Sequence, residues 1–321
     1  MFSWMLSKMI NSLIALSGVN KLSVLTYHRV GESYNQLFMD EYLFEQQLIW
    51  MKKYFNPIGL SEALRLQKQG ELPKRSIVIT IDDGYIDSFT TIFPLLKKYN
   101  LTATFFISTS GLVKGYLWDE HISSIVMRLP VGIENFVFEG QNFAVSTYKE
   151  RVKCAKDISD QIKYCSLHQR EILIEKLLKK AKGTALTHQF LNKSQIKSLH
   201  KEGMEIGAHT VNHPILTCET LTVAKREMQE SKETLERIIG EQVKYLAYPN
   251  GKQGVDFDKD NQQQAKECGF DAAFSTDWGC ISPKPQDLFS LKRFRPWDLS
   301  EAKFCLRLAL NFTGYYTKLD K

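Results

Sequence analysis

The chain has 321 residues, and its contents of 43% hydrophobic and 24% charged residues are ordinary for a globular protein. With 42 basic and 36 acidic residues the net charge is +6, which is too diffuse to indicate nucleic-acid binding but would suit an acidic glycan or an anionic membrane surface. The six cysteines have neither C-x-x-C spacing nor a dense framework, so we expect reduced thiols and a cytoplasmic protein.

The first predicted element is an amphipathic segment over residues 1–21. Its apolar run, Met9 to Val19, is too short and too polar in the middle to span a bilayer. Signal-peptide cleavage near Gly18 would fall almost on the first strand, so we expect the segment to be retained. Together with a second amphipathic segment at 300–321, it is expected either to pack on the protein or to rest on a membrane surface.

Between these two segments, residues 22–299 alternate strand and helix patterns. The strand candidates are 23–27, 76–81, 102–107, 204–208, 243–248, 271–275 and 288–294. Helix patterns between them include Tyr42–Tyr54, Ser88–Tyr99, Leu221–Ile239 and Asn261–Cys268. Repeated strand–helix units indicate a parallel sheet, and seven of them predict an α/β fold that forms a distorted (β/α)7-type barrel.

Residues from about 114 to 193 exceed what one strand–helix unit needs, and we interpret them as a mainly helical insertion. A hairpin is predicted over 135–145, and a helix over 149–182. Trp118, near the start of the insertion, is a candidate platform for stacking a sugar ring, and the alternative is a tryptophan of the hydrophobic core.

Two neighbouring carboxylates follow the second predicted strand. The run from Ser76 to Ile81 is apolar and β-branched, as in a strand buried on both faces of a parallel sheet. Asp82 and Asp83 come directly after it, and Gly84 would let the backbone bend so that both carboxylates reach one cavity. One would bind a metal ion while the other accepts a proton. The alternative is a solvated turn that opens a helix.

Two histidines follow another strand candidate. His209 and His213 are four residues apart, which brings both imidazoles to one side if the segment turns helically. The alternative is a pair of loop histidines that bond to the backbone. Because the carboxyl ends of parallel strands open on the same face, we expect these histidines to lie near the two aspartates. One carboxylate and two imidazoles would hold a divalent metal ion and leave positions open for catalysis.

The motifs T-I-D-D-G, which ends at Gly84, and H-T-V-N-H, which begins at His209, resemble the first two motifs of the polysaccharide deacetylases of carbohydrate esterase family 4, the NodB-homology group. The resemblance implies that Asp82 is the general base and that Asp83, His209 and His213 are metal ligands. Two imidazoles and one carboxylate favour zinc as the expected ion, and cobalt, nickel or iron would fit the same ligands. The resemblance also implies hydrolysis of N-acetyl groups on hexosamine residues of a glycan or a lipid-linked saccharide.

The segment that is similar to the third motif, Leu246 to Gly251, keeps the aromatic-Pro-x-Gly part and lacks the arginine. The resemblance implies that the backbone N–H of Tyr248 helps to hold the oxyanion. Arg293 and Arg295 stand at the end of the last predicted strand, and we select Arg295 as the replacement partner of the general base.

The late histidine that supplies the general acid in the family is missing, and His28 is the expected replacement. Its Tyr-His-x-Val context resembles the branch that includes biofilm poly-N-acetylglucosamine deacetylases, where the acid histidine comes first. The alternative is a buried His28 that bonds to the backbone. Asp277-Trp278 resembles part of the fourth motif, which makes Trp278 a candidate substrate contact in addition to Trp118. Tyr85, directly after Gly84 of the first motif, is the third candidate.

Two other functions stay open. A related amidase or an O-acetyl esterase would use the same residues on a different substrate. A catalytically impaired glycan-binding protein would explain the departures from the third and fifth motifs. The adjacent carboxylates Asp82 and Asp83 favour an enzyme, because a binding protein has no need for two like charges that repel each other.

Overall fold

The structure, a computed structural model, describes residues 19–31, 38–181, 189–283 and 287–313. The predicted N-terminal segment at 1–21 lies almost wholly outside these ranges, and so does the end of the C-terminal segment. In chain order, the described strands are β1 (Leu22–Tyr27), β2 (Arg29–Val30), β3 (Phe38–Met39), β4 (Asn56–Pro57), β5 (Ser76–Ile81), β6 (Thr104–Ile107), β7 (Asn135–Phe138), β8 (Gln141–Ala144), β9 (Glu205–Ala208), β10 (Tyr245–Ala247), β11 (Ala272–Trp278) and β12 (Leu291–Arg293).

Eight of these strands form a parallel sheet, in which seven follow the order β1-β5-β6-β9-β10-β11-β12 and β4 pairs with the start of β5. The last strand returns to the first, since the N–H of Thr26 donates to the carbonyl of Phe294 at 3.0 Å and the N–H of Phe294 donates to that of Val24 at 2.7 Å. The sheet is therefore a nearly closed barrel. Each of the seven predicted strands corresponds to one of its members, and the predicted α/β barrel is confirmed.

Side chains of the strands alternate between the barrel interior and the layer of surrounding helices. Val24, Val78 and Leu291 share one buried cluster with residues of other strands and with Leu60 and Ala63, whereas Ile77 and Ile79 belong to a second cluster with most of the surrounding helices. Because the side-chain period of a strand is two residues, the interior positions continue to residues 28, 82 and 293. The register pairs Thr26 with Thr80, so the residues that follow each strand come out side by side at the mouth.

Helices surround the barrel and also build the insertion. In chain order, those described are α1 (Glu41–Tyr54), α2 (Leu60–Gln69), α3 (Phe93–Lys98), α4 (Gly111–Lys114), α5 (Trp118–Met127), α6 (Tyr148–Ile162), α7 (Leu167–Ala181), α8 (Lys193–Lys201), α9 (Leu221–Ile239), α10 (Lys259–Glu267) and α11 (Glu301–Thr313). A π-helical turn at Ser88–Ile92 precedes α3, and a 3-10 turn lies at Leu216–Cys218. The predicted helix at 221–239 has the observed bounds, and Gly240 ends it in the left-handed conformation at φ 78°.

Helix α11 packs against α1 and β1. Its apolar residues Phe304, Leu308 and Phe312 are fully buried, and the ring centroid of Phe304 lies 5.6 Å from that of Trp50. This apolar face belongs to the barrel core and is not available to a membrane surface. None of the described helices is long and apolar enough to cross a membrane.

The insertion has a hydrophobic core of its own. Helices α5, α6 and α7 and the antiparallel hairpin β7–β8 bury a cluster that includes Ile125, Phe138, Ile158 and Leu177. The hairpin lies where the sequence predicts one. The single helix predicted over 149–182 is instead two helices, because a new helix starts after Ser166, whose hydroxyl accepts a hydrogen bond from the N–H of Gln169 at 3.4 Å.

Candidate active site

The two carboxylates leave β5 in different directions because the backbone bends at Asp83. Asp82 stays in the ladder, and its N–H donates to the carbonyl of Tyr27 at 2.9 Å. Asp83 has φ 77°, a left-handed conformation that costs a non-glycine residue about 1–3 kcal/mol. The bend thus begins one residue before Gly84, which continues it at φ 95°. Asp82 and Asp83 are only 1% and 3% exposed, so the alternative of a solvated turn is wrong.

The two histidines are brought together by a loop rather than by the helical turn expected from their spacing. Thr210 has φ 62° and His213 has φ 52°, both left-handed, so the segment folds back on itself. The ring centroids of His209 and His213 are 4.9 Å apart. Nδ1 of His209 contacts the carbonyl oxygen of Ala247 at 2.6 Å, which leaves Nε2 directed toward Asp83.

Asp83, His209 and His213 form a compact donor set. Oδ1 of Asp83 lies 3.4 Å from Nε2 of His209 and 3.5 Å from Nε2 of His213, and the three ligand atoms fall within 4.8 Å of one another. This carboxylate oxygen is buried and makes no hydrogen bond within the described part of the chain. A buried anion with two imidazole nitrogens facing it fits a divalent cation.

The ionisation of Asp83 and His213 favours a cation at the same point, whereas burial acts to lower the pKa of His209 and the contact with Asp83 raises it. Burial alone would raise the pKa of Asp83, but its contact with His209 and the charges of His28 and His213 hold that pKa well below its usual range. Burial lowers the pKa of His213 to about 3, so its imidazole is neutral at neutral pH. Neutral imidazole and ionised carboxylate are the forms that bind metal ions.

Asp82 forms an ion pair with Arg293, not with the expected Arg295. Nη1 of Arg293 donates to Oδ1 of Asp82 at 2.7 Å, and Nε donates to the carbonyl of Ser275 at 3.0 Å. Arg293 continues the interior-facing positions of β12 and is 1% exposed, whereas Arg295 lies beyond the strand with its guanidinium 3.9 Å from the ring centroid of Trp297. Burial alone would raise the pKa of Asp82, but the charges of Arg293, His209 and His28 lower it.

His28 lies beside Asp82 at the same mouth of the barrel. Its Nε2 is 4.0 Å from Oδ2 of Asp82, and the hydroxyl of Thr26 donates to the same oxygen at 3.3 Å. The expected alternative, a hydrogen bond from His28 to the backbone, is not formed at Nδ1, which is buried without a partner among the described residues. Burial lowers the pKa of His28, and the carboxylates Asp83 and Asp82 act against that decrease.

This geometry agrees with comparisons with known proteins. The family model for polysaccharide deacetylases matches residues 69–273. The chain belongs to the polysaccharide deacetylase family. The predicted family and enzyme class, a deacetylase, are therefore confirmed, and the barrel, the aspartate pair and the two histidines all lie in or beside the matched region.

Three relatives show how far the similarity extends. YxkH of Bacillus subtilis, named for the same family, is 21% identical over 86% of this chain and 71% of its own length. A poly-β-1,6-N-acetyl-D-glucosamine N-deacetylase of Staphylococcus aureus is 26% identical over 51% of this chain and 58% of its own length. The Streptococcus pyogenes deacetylase PplD, solved in complex with acetate, has a TM-score of 0.58 at 23% identity and covers 86% of this chain and 92% of its own. The last likeness shows a shared fold.

Tyr248 does not occupy the position that the third motif implies for it in this deacetylase. Its N–H donates to the carbonyl of Phe274 at 3.0 Å as part of the sheet, and its hydroxyl donates to the carbonyl of Phe289 at 3.0 Å. The ring is fully buried and stacks on Phe257 at 3.8 Å. The expected oxyanion donor is therefore wrong for this chain, because the strand ladder already uses that N–H.

The three aromatic candidates for substrate contact lie in different surroundings. Tyr85 is 2% exposed and packs between Arg29 and Phe190, so it offers no face to a ligand and that prediction is wrong. Trp278 is half-buried against Phe294. Trp118 is also half-buried, and its indole N–H donates to the carbonyl of His213 at 3.3 Å, which makes it a neighbour of the metal-ligand loop.

Trp297, which no sequence motif singles out, lies beside His28. Its side chain is 46% exposed and lines a small cavity together with His28, Phe38 and Arg295. Its position in the sequence could have indicated this location, because Trp297 follows β12 by four residues and the chain leaves β12 at the barrel mouth where the other site residues lie. Arg293 could not have been selected in this way, because Arg295 has the same place in the two-residue period of the strand.

We expect the purified protein to bind about one divalent ion, and His209→Ala and His213→Ala should each lose it. Removal of one of three ligands weakens the hold on the ion while Asp83 stays buried. Metal content after dialysis, measured by atomic emission, checks this. His200→Ala is the matched control, because His200 lies on α8 with Nε2 3.5 Å from Glu241. Equal metal content in all four proteins would contradict the site.

Proposed function

We propose that this deacetylase hydrolyses N-acetyl groups on hexosamine residues of a glycan, either a polysaccharide or a lipid-linked saccharide. The observation that carries the proposal is the arrangement of three groups at one barrel mouth: the donor set of Asp83, the ion-paired Asp82, and His28. The staphylococcal relative, named as a deacetylase of poly-N-acetylglucosamine, supports an N-acetylated glycan as the substrate class.

Asp83, His209 and His213 would hold the metal ion. Two imidazoles and one carboxylate suit zinc, and they leave room for further ligands. When bound, such an ion supplies Lewis acidity, which polarises a carbonyl and lowers the pKa of water from 15.7 toward about 7. The remaining chemistry belongs to side chains that are not ligands.

Asp82 is the proposed general base. Arg293 keeps it ionised and turns one carboxylate oxygen away from solvent, so the second oxygen, which faces Thr26 and His28, is the one that would accept a proton from water. Because its pKa is lowered, Asp82 stays ionised and able to act as a base at acidic pH, but it is a weaker base than an ordinary carboxylate. The pairing with a fully buried guanidinium also fixes the carboxylate in one orientation.

His28 is the proposed general acid. When a water next to Asp82 attacks the acetyl carbonyl carbon, the nitrogen of the same amide would lie within reach of the imidazole, whose Nε2 is 4.0 Å from Oδ2 of Asp82. An amine is a poor leaving group until it is protonated, so an acid at this point allows the C–N bond to break. The products are acetate and a glycan with a free amine.

Trp297 is the proposed platform for the sugar ring. It replaces Tyr85 in this role, since an exposed indole next to His28 can stack against the C–H face of a pyranose. The guanidinium of Arg295 lies against the indole at 3.9 Å and holds the platform in place while it directs a positive charge toward the mouth.

Asp82→Asn should lower the rate of acetate release from N-acetylated oligosaccharides by roughly 10²–10⁴-fold, because the side-chain amide cannot accept a proton. Metal content should stay unchanged, since Asp82 is not a ligand. Asp260→Asn, an exposed change on α10, is the control. Full activity of the Asp82 variant would exclude this base, and a parent protein that binds these oligosaccharides without releasing acetate would indicate a glycan-binding protein.

His28→Ala should reduce kcat by roughly 10²–10⁴-fold, the usual contribution of a general acid. A general acid acts in its protonated form, so activity normally falls as pH rises through its pKa, and the variant should lose this decline at high pH. The pH–rate profile and metal content check the prediction. Loss of the metal would instead make His28 a ligand, and an unchanged kcat with lower thermal stability would make it a structural histidine.

Trp297→Ala should raise KM for an oligosaccharide substrate by roughly 2–10-fold with little change in kcat, because stacking contributes about 0.5–1.5 kcal/mol and acts equally on substrate and transition state. Initial rates over a range of substrate concentrations give both constants. Leu299→Ala removes another exposed apolar side chain two residues away and should leave KM unchanged. Equal effects of both changes would remove Trp297 from the binding site.

A further inference from the structure

The loop from His209 to His213 is held by hydrogen bonds between its backbone and side chains of other elements. His209 is oriented at its second ring nitrogen by Ala247, but Nδ1 of His213 makes no hydrogen bond within the described ranges. A metal-binding histidine usually has its ring fixed by a hydrogen bond at the second nitrogen. Since His213 lacks this support, the position of its ring depends on the position of its backbone.

The insertion supplies that backbone support. Arg170 of α7 donates from Nη2 to the carbonyl of Asn212 at 2.7 Å and from Nη1 to the carbonyl of His213 at 3.1 Å. Trp118 donates from its indole N–H to the same His213 carbonyl at 3.3 Å. The guanidinium carbon of Arg170 lies 4.7 Å from the centroid of the Trp118 ring, so the two donors also support each other.

The opposite side of the loop is held by the barrel. Glu227 of α9 accepts hydrogen bonds from the N–H groups of Val211 and Asn212 at 3.0 and 2.7 Å, and its other oxygen accepts one from the side-chain amide of Asn212 at 2.7 Å. The carbonyl groups of the loop therefore meet a cation from the insertion, while its amide groups meet an anion from the barrel.

Burial of the Arg170 guanidinium is energetically unfavourable in itself. Arg170 is 3% exposed, and burial lowers its pKa to about 10 although the charges of Asp119, Glu227 and Glu219 act against that decrease. A buried charge is unfavourable unless its hydrogen bonds are satisfied. Two successive carbonyl oxygens match the flat fork of a guanidinium, a geometry that a lysine ammonium cannot reproduce.

We propose that the insertion is a clamp on the metal-ligand loop, in which Arg170 is the positioning residue for His213. The inference rests on the metal site of the proposed function. It assigns the insertion a role in metal binding, because α5 and α7 place their two donors on the backbone of a ligand. Displacement of the loop by the loss of these donors would move the His213 imidazole relative to Asp83 and His209.

The test is the affinity of the metal-free full-length chain for Co²⁺ and Zn²⁺. Arg170→Met keeps a long apolar side chain and removes the fork, and we expect it to weaken the affinity by roughly 10–100-fold, as other losses of support around a ligand do. The visible absorption of the Co²⁺ form should also change, since it reports ligand geometry. Arg170→Lys should show an intermediate loss.

Arg151→Met is the matched control. Arg151 also donates to backbone carbonyls inside the insertion, including those of Val145 and Leu129 at 2.9 and 2.6 Å, but it does not touch the metal-ligand loop. It should lower the thermal stability of the insertion and leave Co²⁺ affinity and absorption unchanged. Equal metal affinity in both arginine variants and the parent would overturn the clamp, as would an equal loss in both.

Trp118→Phe decides the question if Arg170→Met fails to fold. It keeps the aromatic ring under the guanidinium and removes only the donor to His213, so Co²⁺ affinity should fall by a few-fold with an unchanged thermal midpoint. Unchanged affinity in this folded variant would count against the clamp. A parent protein that binds neither ion would overturn the metal site itself, which separates failure of the proposed function from failure of this inference.

Discussion

Two adjacent carboxylates, both almost fully buried, impose the main constraint on this molecule. Neither Asp82 nor Asp83 can stay ionised in the barrel mouth without a compensating positive charge, and the two carboxylates leave the strand in different directions. Arg293 compensates Asp82 from inside the barrel. Asp83 faces two imidazoles, and this arrangement fits a divalent cation. The left-handed backbone at Asp83 is the strain that keeps the two charges separated.

The closure of the barrel makes this separation possible. β12 lies beside β1, so a residue of the last strand can reach the carboxylate that follows β5. His28, which follows β1, also lies next to Asp82. The proposed base, its counter-ion and the proposed acid therefore come from three strands that are far apart in sequence, and the metal-ligand set adds a fourth strand, β9.

The two histidines of the donor set are supported in different ways, and this difference connects the insertion with the site. His209 is held through its ring by the neighbouring strand, as a residue at a strand end can be. His213 lies farther along a loop with no strand beside it, and its carbonyl is instead held by Arg170 and Trp118. An insertion with its own hydrophobic core can offer rigid donors that a flexible lid could not.

The sequence by itself determined the barrel, because buried parallel strands have a continuous apolar pattern and helices between them have a 3.6-residue period. It also placed Asp82, Asp83, His209 and His213 next to strand ends, and the resemblance of their two motifs to those of the family implied Asp83, His209 and His213 as the donor set. Only the tertiary structure decided which arginine meets Asp82, that the N–H of Tyr248 is used by the sheet, and that Tyr85 is buried. These outcomes depend on which strand lies next to which and on how far each strand extends, and local patterns carry no information about either.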